Sequence, residues 1–297
     1  MLCKNPFVRD PSGKVFKASL LSGDRDVALG GIPFPCGQCL PCRINKRRLW
    51  THRLLLESYD HSESIFITLT YTDEYLPPNG SLDKKSVQLF LKRFRKSLEP
   101  RKIRYYAVGE YGAQTHRAHY HAIIFGASLL DGEQVARAWP FGRVHVAECN
   151  RHTIQYVAGY VTKKFVKKGD ELLAQEFSIM SRKPGLGFGA VERLTTLIQD
   201  KKYAHLFEGN NAIPDGLRHG ASFMPFDRYI KSKLQFALEV DADATEYIQE
   251  LTAKYLSAQR LNPESVQPLV DLLMAESAGR NTQIERRFKI FNTRNKL

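Results

Sequence analysis

The chain has 297 residues, a hydrophobic fraction of 43% and a formal net charge of +13. This length accommodates one large domain with appendages, and the positive charge favours polyanionic partners, nucleic acid above all, over a generally basic protein without such a partner. No long uncharged apolar run is present, so we expect no transmembrane helix, and the N-terminal residues lack the apolar core of a secretory signal. We therefore expect a cytoplasmic protein whose five cysteines are thiols or metal ligands rather than disulfides.

The first part of the chain combines a loop-rich segment with a basic helix. Residues 1–42 are rich in Gly, Pro and Cys, and a helix is predicted from Arg43 to Tyr59. The first part of this helix carries cations without an acid, which fits contacts to DNA phosphates; a solvated helix face is the alternative. The candidate DNA-binding residues here are Arg43, Lys46, Arg47, Arg48 and Arg53.

The middle of the chain alternates between predicted strands and helices. In chain order we predict a strand at 65–71, a helix capped by Asp83, strands at 103–108 and 118–125, a helix at 131–138, a strand at 142–147 and a helix at 153–167. Adjacent strands with short links imply an antiparallel sheet, and we expect an α+β fold with the helices on one face. The predicted divisions are a Cys-rich segment and basic helix (1–59), a core (60–170) and a C-terminal extension of loops and helices (171–297).

The motif His119-Tyr120-His121 lies inside the apolar run 118–125. Alternate side chains of a strand share one face, so the two imidazoles form half of a site for a divalent metal ion. Glu110 ends the neighbouring predicted strand and is the candidate third ligand, whereas His116 falls before the strand and off the alternating face. Two histidines and a carboxylate leave positions open for substrate and water and suit Mg²⁺ or Mn²⁺. Two half-exposed histidines on an edge strand are the alternative.

A pair of tyrosines, Tyr156 and Tyr160, lies four residues apart in a predicted helix and so shares one face. A phenol is a poor nucleophile unless its oxyanion is stabilised, and Lys163 or Lys164 lies one helical turn further on. Beside a metal site, these residues predict attack of a tyrosine on a DNA phosphorus, which leaves the enzyme joined to the 5′ end and releases a 3′ hydroxyl. Burial of both rings in an apolar core is the alternative.

The cysteines cluster near the N-terminus. The segment 36–42, CGQCLPC, contains two overlapping C-x-x-C steps with the spacing of structural zinc sites. Its three cysteines, Cys36, Cys39 and Cys42, need a fourth ligand, for which Cys3 is the first candidate and Cys149 and His52 are the alternatives. Zinc here would fix the start of the basic helix, whereas unliganded thiols in a loop are the competing interpretation.

A glycine-rich loop at 181–189 carries Arg182 and Lys183. A glycine-rich backbone with two cations is able to approach a phosphate, so both residues are candidate DNA contacts. An ordinary surface loop is the alternative interpretation.

Three ordered motifs resemble those of the HUH endonucleases, and within them the rolling-circle replication initiators of microviruses, especially the gokushovirus group. Residues 66–71 (FITLTY) are similar to the first motif, 119–125 (HYHAIIF) to the second, and 156–164 (YVAGYVTKK) to the third in its two-tyrosine form. The resemblance covers roughly 60–170 and departs from it at Gly159, where many relatives have lysine. Similar N-terminal cysteine clusters occur in the gokushovirus-like relatives.

The resemblance implies an RRM-like sheet with the histidine strand at its centre. It also implies metal-assisted nicking of one strand at an origin in the double-stranded replicative form, a 5′-phosphotyrosine link, and later rejoining. The implied partners are the single-stranded origin region, the replicative form, and host helicase and replication proteins in the bacterial cytoplasm. Two other classes stay open: a zinc-stapled nucleic-acid-binding protein without catalysis, and an HUH transposase or relaxase. The first leaves the histidine and tyrosine pairs unexplained, and the others fit the chain length and motif order less well.

Overall fold

The computed structural model describes residues 3–9, 13–17, 32–112, 114–160, 173–200, 213–240 and 278–288. The chain divides into two compact units. The first unit is Met1–Lys46 with Asp241–Leu297, and the second is Arg47–Val240. The divisions predicted after residues 59 and 170 both fall inside the second unit.

The described part of the first unit is built around a small antiparallel sheet. Strand β1 (Phe7–Arg9) lies between β2 (Val15–Lys17) and β3 (Ile32–Phe34). Helix α1 (Leu40–Ser58) begins in this unit, and a further helix spans 278–288. The C-terminal extension predicted to be mainly helical lies otherwise largely outside the described residues.

The second unit contains a five-stranded antiparallel sheet, which confirms the predicted α+β class. Its order is β7-β4-β6-β5-β8, so the histidine strand β6 is central. The elements are β4 (Ser64–Thr70), α2 (Lys84–Ser97), β5 (Arg104–Tyr111), β6 (Ala118–Phe125), α3 (Gly132–Ala138), β7 (Val144–Glu148), α4 (Arg151–Gly159) and β8 (Phe177–Met180). They are followed by α5 (Gly189–Gln199), the hairpin β9 (Gly216–His219) and β10 (Ser222–Pro225), and α6 (Arg228–Ala237).

The sheet is apolar on both faces. Along β4, Ile65 and Ile67 pack in a cluster with Phe90 of α2, while Phe66 packs in a second cluster with Leu54 of α1. Alternate residues of a strand point to opposite sides, so an apolar residue at each position requires cover on both. The sequence predicts helices on one face only; the structure corrects this, with α2 and α3 on one face and α1 and α4 on the other.

Two local features explain how the flanking elements are placed. Helix α2 begins after Asp83, whose carboxylate accepts hydrogen bonds from the backbone N–H groups of Lys85 and Ser86, as the sequence predicts. Strand β8, which the sequence pattern does not reveal, extends the sheet at β5. None of the helices in the described ranges combines the length and apolar character needed to cross a bilayer.

Candidate active site

The strand register brings the predicted metal ligands together. Pairing of β5 with β6 sets Glu110 opposite His119, and pairing of β4 with β6 sets Thr68 opposite His121. Oε1 of Glu110 lies 2.9 Å from Nε2 of His119 and 3.3 Å from Nε2 of His121. The three donor atoms all lie within 4.8 Å of one another. The arrangement contains one carboxylate oxygen and two imidazole nitrogens, all on the face covered by α1 and α4.

The second nitrogen of each imidazole is held by a neighbour. Nδ1 of His119 lies 3.0 Å from the carbonyl oxygen of Arg117, and Nδ1 of His121 lies 2.9 Å from the hydroxyl of Thr68. A carbonyl only accepts, so His119 donates from Nδ1 and, when neutral, presents the Nε2 lone pair towards Glu110. Metal-ligating histidines are commonly oriented in this way.

This donor set fits a divalent cation. Ligands at about 2.1 Å from an octahedral ion lie about 3 Å from one another, close to the observed separations at Glu110. Glu110 and His121 are buried, whereas His119 is partly accessible. A buried carboxylate facing two imidazoles is stabilised by positive charge at that point. Glu110, His119 and His121 would therefore hold Mg²⁺ or Mn²⁺ with positions left for substrate.

Helix α4 presents both tyrosines to the same place. The Asn150 side chain caps the helix by accepting from the N–H groups of His152 and Thr153. The rings of Tyr156 and Tyr160 each lie 5.2 Å from the His121 ring, and they lie 5.0 Å from one another. The two candidate nucleophiles therefore contact a candidate metal ligand.

The tyrosines differ in access to solvent. Tyr156 is 48% exposed and Tyr160 is 7% exposed. Burial and the nearby Glu110 carboxylate raise the pKa of Tyr160, and burial raises the pKa of Tyr156. Both phenols are thereby kept protonated near neutral pH, so their reaction as nucleophiles requires a cation or a proton acceptor at the site. The predicted assisting residues Lys163 and Lys164 lie outside the described residues.

Arg47 lies beside the tyrosine helix. A Cβ atom at Gly159 would be 3.4 Å from Nε of Arg47 and 3.5 Å from its Cζ. Burial lowers the pKa of this guanidinium, which nevertheless stays protonated because an arginine titrates far above neutral pH. The sequence predicts Arg47 as a general DNA contact, and the structure adds that it lies against the turn between the two tyrosines.

The other predicted DNA contacts of the basic helix fall into different environments. The Arg53 guanidinium donates to the carbonyl of Leu186 and to Asp227, and it lies over the rings of Trp50 and Tyr229. Arg53 is therefore a packing residue, which corrects its prediction as a phosphate contact. Of the remaining three, Arg48 and Lys46 are exposed, with Arg48 donating to the Phe223 carbonyl, and Arg43 is half-buried.

The predicted thiol cluster also converges. The Sγ atoms of Cys3, Cys36, Cys39 and Cys42 all lie within 4.8 Å of one another. Neither alternative fourth ligand is part of that group: Cys149 packs against an apolar core, where burial raises its pKa to about 11, and His52 Nδ1 lies 2.9 Å from the carbonyl of Pro225. The structure therefore selects Cys3 among the three candidates.

Two contributors to the active site escape the sequence argument. Thr68 is a polar residue in an otherwise apolar central strand, and its parity with Phe66 is the available signal that it faces the site. Arg47 gives no such signal, because its contact with Gly159 joins residues more than one hundred positions apart.

Comparison with known proteins places these motifs in a family. Residues 64–165 match the family model for replication-associated protein ORF2. The chain is 27% identical over 260 residues to replication-associated protein ORF4 of Chlamydia phage 1, a match that covers 80% of this chain and 62% of the relative. It is 31% identical over 165 residues to replication-associated protein VP4 of Bdellovibrio phage phiMH2K (48% of this chain, 52% of the relative). It is 32% identical over 153 residues to replication-associated protein ORF2 of Spiroplasma virus 4 (44% and 48%).

These matches cover from about half to three fifths of the length of the curated relatives. No solved structure is significantly similar to the chain. The matched segment contains the histidine strand, Glu110 and both tyrosines. The family match over residues 64–165 and the three phage relatives confirm the resemblance to microvirus-like rolling-circle replication initiators.

Proposed function

We propose that the protein initiates DNA replication by nicking one strand at an origin through tyrosine attack on a phosphodiester. The observation that carries this proposal is the convergence of Glu110, His119 and His121 with Tyr156 and Tyr160 on one face of the central sheet. The relatives are named replication-associated proteins of phages, which supports a role in replication.

The three ligands and Arg47 provide the electrostatic environment for the reaction. A bound Mg²⁺ or Mn²⁺ ion would supply Lewis-acid polarisation of a non-bridging phosphate oxygen. Arg47 supplies a permanently charged, planar donor beside α4, suited to the remaining non-bridging oxygen. Arg117 and Thr68 keep the two imidazoles oriented through their hydrogen bonds to Nδ1.

Tyr156 is the first nucleophile in this scheme, because its side chain is the accessible one of the pair. Its phenolic oxygen bonds to phosphorus, the bond from phosphorus to the 3′ oxygen breaks, and the proton lost by the phenol is balanced by protonation of the 3′ oxygen. The products are a 5′-phosphotyrosine link and a free 3′ hydroxyl for extension. The reverse attack by a 3′ hydroxyl rejoins the strand, since the bond energy is retained in the phosphotyrosine.

Tyr160 provides a second nucleophile next to the first. Its ring lies 5.0 Å from that of Tyr156 and stacks on His121. A second transfer is therefore able to occur while the first phosphotyrosine is still occupied. The Tyr160 hydroxyl reaches substrate only after its immediate surroundings shift, which is consistent with a role in the later step.

The proposed setting is the cytoplasm of a bacterial host. The substrates are the single-stranded origin region and the double-stranded replicative form, and host helicase and replication proteins act downstream. A non-catalytic nucleic-acid-binding protein would use the same positive charge, but it gives no reason for two tyrosines to pack against a candidate metal ligand.

A covalent adduct assay tests the proposal. The full chain is incubated with Mn²⁺ or Mg²⁺ and 3′-labelled single strands that tile a related phage genome, and the products are separated under denaturing conditions. We expect a labelled protein–DNA adduct that Tyr156→Phe abolishes in the first turnover and Tyr160→Phe retains. Tyr75→Phe is the matched control, because Tyr75 is also 48% exposed but lies outside the site. Absence of an adduct with every strand, or an adduct formed by the double Tyr156→Phe/Tyr160→Phe variant, would overturn the proposal.

A further inference from the structure

We propose that the four clustered cysteines hold one structural zinc ion. Their Sγ atoms all lie within 4.8 Å of one another, and Sγ of Cys39 lies 3.8 Å from Sγ of Cys3. Four thiolates at about 2.3 Å from a tetrahedral ion lie about 3.8 Å apart, so the spacing matches a single ion. A multi-iron cluster distributes its thiolates over several irons and holds them further apart than one ion does.

The backbone of the first unit brings the four sulfurs together from two segments. Cys3 precedes β1 and Cys36 follows β3, and the antiparallel register pairs Phe7 with Phe34, so the start of one strand lies at the end of the other. The turn at 36–39 contains Gly37 at φ +71°, a conformation that favours glycine. Cys42 then lies in the first turn of α1.

Backbone amides point at the sulfurs as they do around bound thiolates. The N–H of Cys36 donates to Sγ of Cys3 at 3.2 Å. Sγ of Cys36 accepts from the N–H groups of Gln38 and Cys39 at 3.4 and 3.3 Å. Such donors stabilise the negative charge that four thiolates place on one ion, and binding releases the thiol protons to solvent.

The donor set predicts a structural rather than a catalytic ion. Four protein thiolates fill a tetrahedral shell and leave no position for substrate. The described strands of this unit are only three residues long, so they bury little apolar surface and benefit from a metal staple. The ion would hold the start of α1 to the small sheet.

Metal analysis of the purified full chain tests this site without DNA, so its outcome is independent of the nicking proposal. We expect about one zinc per chain, as for a four-cysteine site, and loss of that zinc in Cys39→Ser. Cys149→Ser is the matched control and should retain the zinc, since Cys149 lies in the other unit. Zinc retained by Cys39→Ser or lost from Cys149→Ser, iron in place of zinc, or disulfides between these cysteines would overturn the proposal.

A second measurement covers the case in which Cys39→Ser fails to fold. The wild-type chain is stripped of metal under reducing conditions and titrated with Co²⁺. We expect the visible bands of tetrahedral Co²⁺ together with sulfur-to-cobalt charge transfer, saturating at one equivalent and displaced by Zn²⁺. A spectrum of octahedral Co²⁺ alone would contradict the four-thiolate site.

A basic groove on the opposite side of the sheet supports a second, independent inference: it binds a nucleic-acid backbone. The groove has a volume of about 1120 Å³ and lies between α2, the start of β5, and β8 with its following loop. Five cations with no carboxylate partner among the described residues line it: Lys84, Arg95, Lys102, Arg182 and Lys183. Arg101 and Arg104 are also present but pair with Asp131 and Glu57, and Glu99 is the single acid of the lining.

The groove combines charge with a planar surface. The guanidinium of Arg95 lies over the ring of Tyr105 at 5.2 Å. Positively charged grooves with aromatic platforms suit the phosphates and bases of a nucleic acid. Arg104 and Glu110 stand at opposite ends of β5, roughly 20 Å apart at about 3.3 Å per residue, so strand bound here is not the strand being cut.

Fluorescence anisotropy with a labelled mixed-sequence oligonucleotide, single-stranded or duplex, tests the groove. EDTA is present, so no cleavage occurs and the result does not depend on the nicking proposal. We expect Lys102→Glu/Lys183→Glu to weaken binding about tenfold or more and to reduce the salt slope by about 0.7–0.9 for each phosphate that the groove no longer neutralises. Lys92→Glu/Lys96→Glu is the matched control, with the same charge change on exposed residues of α2 outside the groove. Equal affinity for the two double variants would overturn the inference.

Discussion

Two clusters of side chains in this molecule bring candidate ligand atoms to within 4.8 Å of one another, and they differ in every other respect. The Glu110–His119–His121 cluster has three ligands of hard or intermediate character, and two tyrosines contact it. The cysteine cluster has four soft ligands surrounded by backbone N–H donors. Convergence of ligands alone therefore does not distinguish a reactive site from a structural one. The number of positions left open, and a nucleophile beside them, make that distinction.

Removal of exchangeable metal is the strongest way to separate the two clusters. We expect EDTA followed by gel filtration to abolish adduct formation completely while the zinc of the cysteine cluster remains, because three ligands with open positions release an ion more readily than four thiolates. Adduct assay and metal analysis on the same sample measure both effects. Recovery of activity on adding Mn²⁺ or Mg²⁺ is the control. Adduct formation that survives in metal-free buffer would contradict the assignment of the first cluster.

Loss of both imidazoles should nearly match metal removal. We expect His119→Ala/His121→Ala to slow adduct formation by about 10³ or more, since Lewis-acid stabilisation contributes several kcal/mol to such reactions. Single-turnover rates with excess protein measure the effect. The zinc content should stay unchanged, which also shows that the first unit is intact. A rate within about tenfold of wild type would contradict the role of the histidine pair.

Glu110→Gln preserves shape and removes one charge. We expect adduct formation to fall by about 10², because one of three ligands becomes neutral. The same change should lower the pKa of Tyr160, since the carboxylate raises it in the metal-free protein. Chemical shifts of labelled tyrosine ring carbons during a pH titration measure that pKa. An unchanged or higher pKa for Tyr160 would show that Glu110 does not act on this phenol.

The histidine strand shows how far local sequence reaches. The predicted bounds 118–125 coincide with β6, because period-2 alternation and β-branched residues are local properties of a strand. Alternation also predicts that His119 and His121 share a face. The two-sided cover of the sheet was not predictable in the same way, because an apolar run has no preferred face and only the flanking helices show that both are buried.

Long-range partners account for the remaining differences. The C-x-x-C steps are visible in sequence, but the choice of Cys3 over Cys149 depends on the pairing of β1 with β3. Arg53 has the same local context as its basic neighbours, yet the carbonyl of Leu186 and the carboxylate of Asp227 commit it to packing. Such contacts join positions more than one hundred residues apart, and no periodicity records them.

The smallest expected effect comes from a residue that contacts a ligand rather than the metal. Thr68→Val is nearly isosteric and removes the hydroxyl that lies 2.9 Å from Nδ1 of His121. We expect the Mn²⁺ concentration for half-maximal adduct formation to rise about tenfold, with little change in rate at saturating metal, because the orientation of the ring is weakened while all three ligands remain. Metal titrations of the adduct rate measure both quantities.

Thr68→Ser is the matched control for that prediction, since it restores the hydroxyl. Rescue by serine would show that the hydrogen bond to His121, and not the shape of the strand, sets the metal affinity. If Thr68→Val instead lowered the rate at saturating metal without changing the metal requirement, Thr68 would act on the substrate or on the adjacent tyrosines rather than through His121. The cysteine cluster offers an internal reference for this measurement, because its zinc content should be the same in all three proteins.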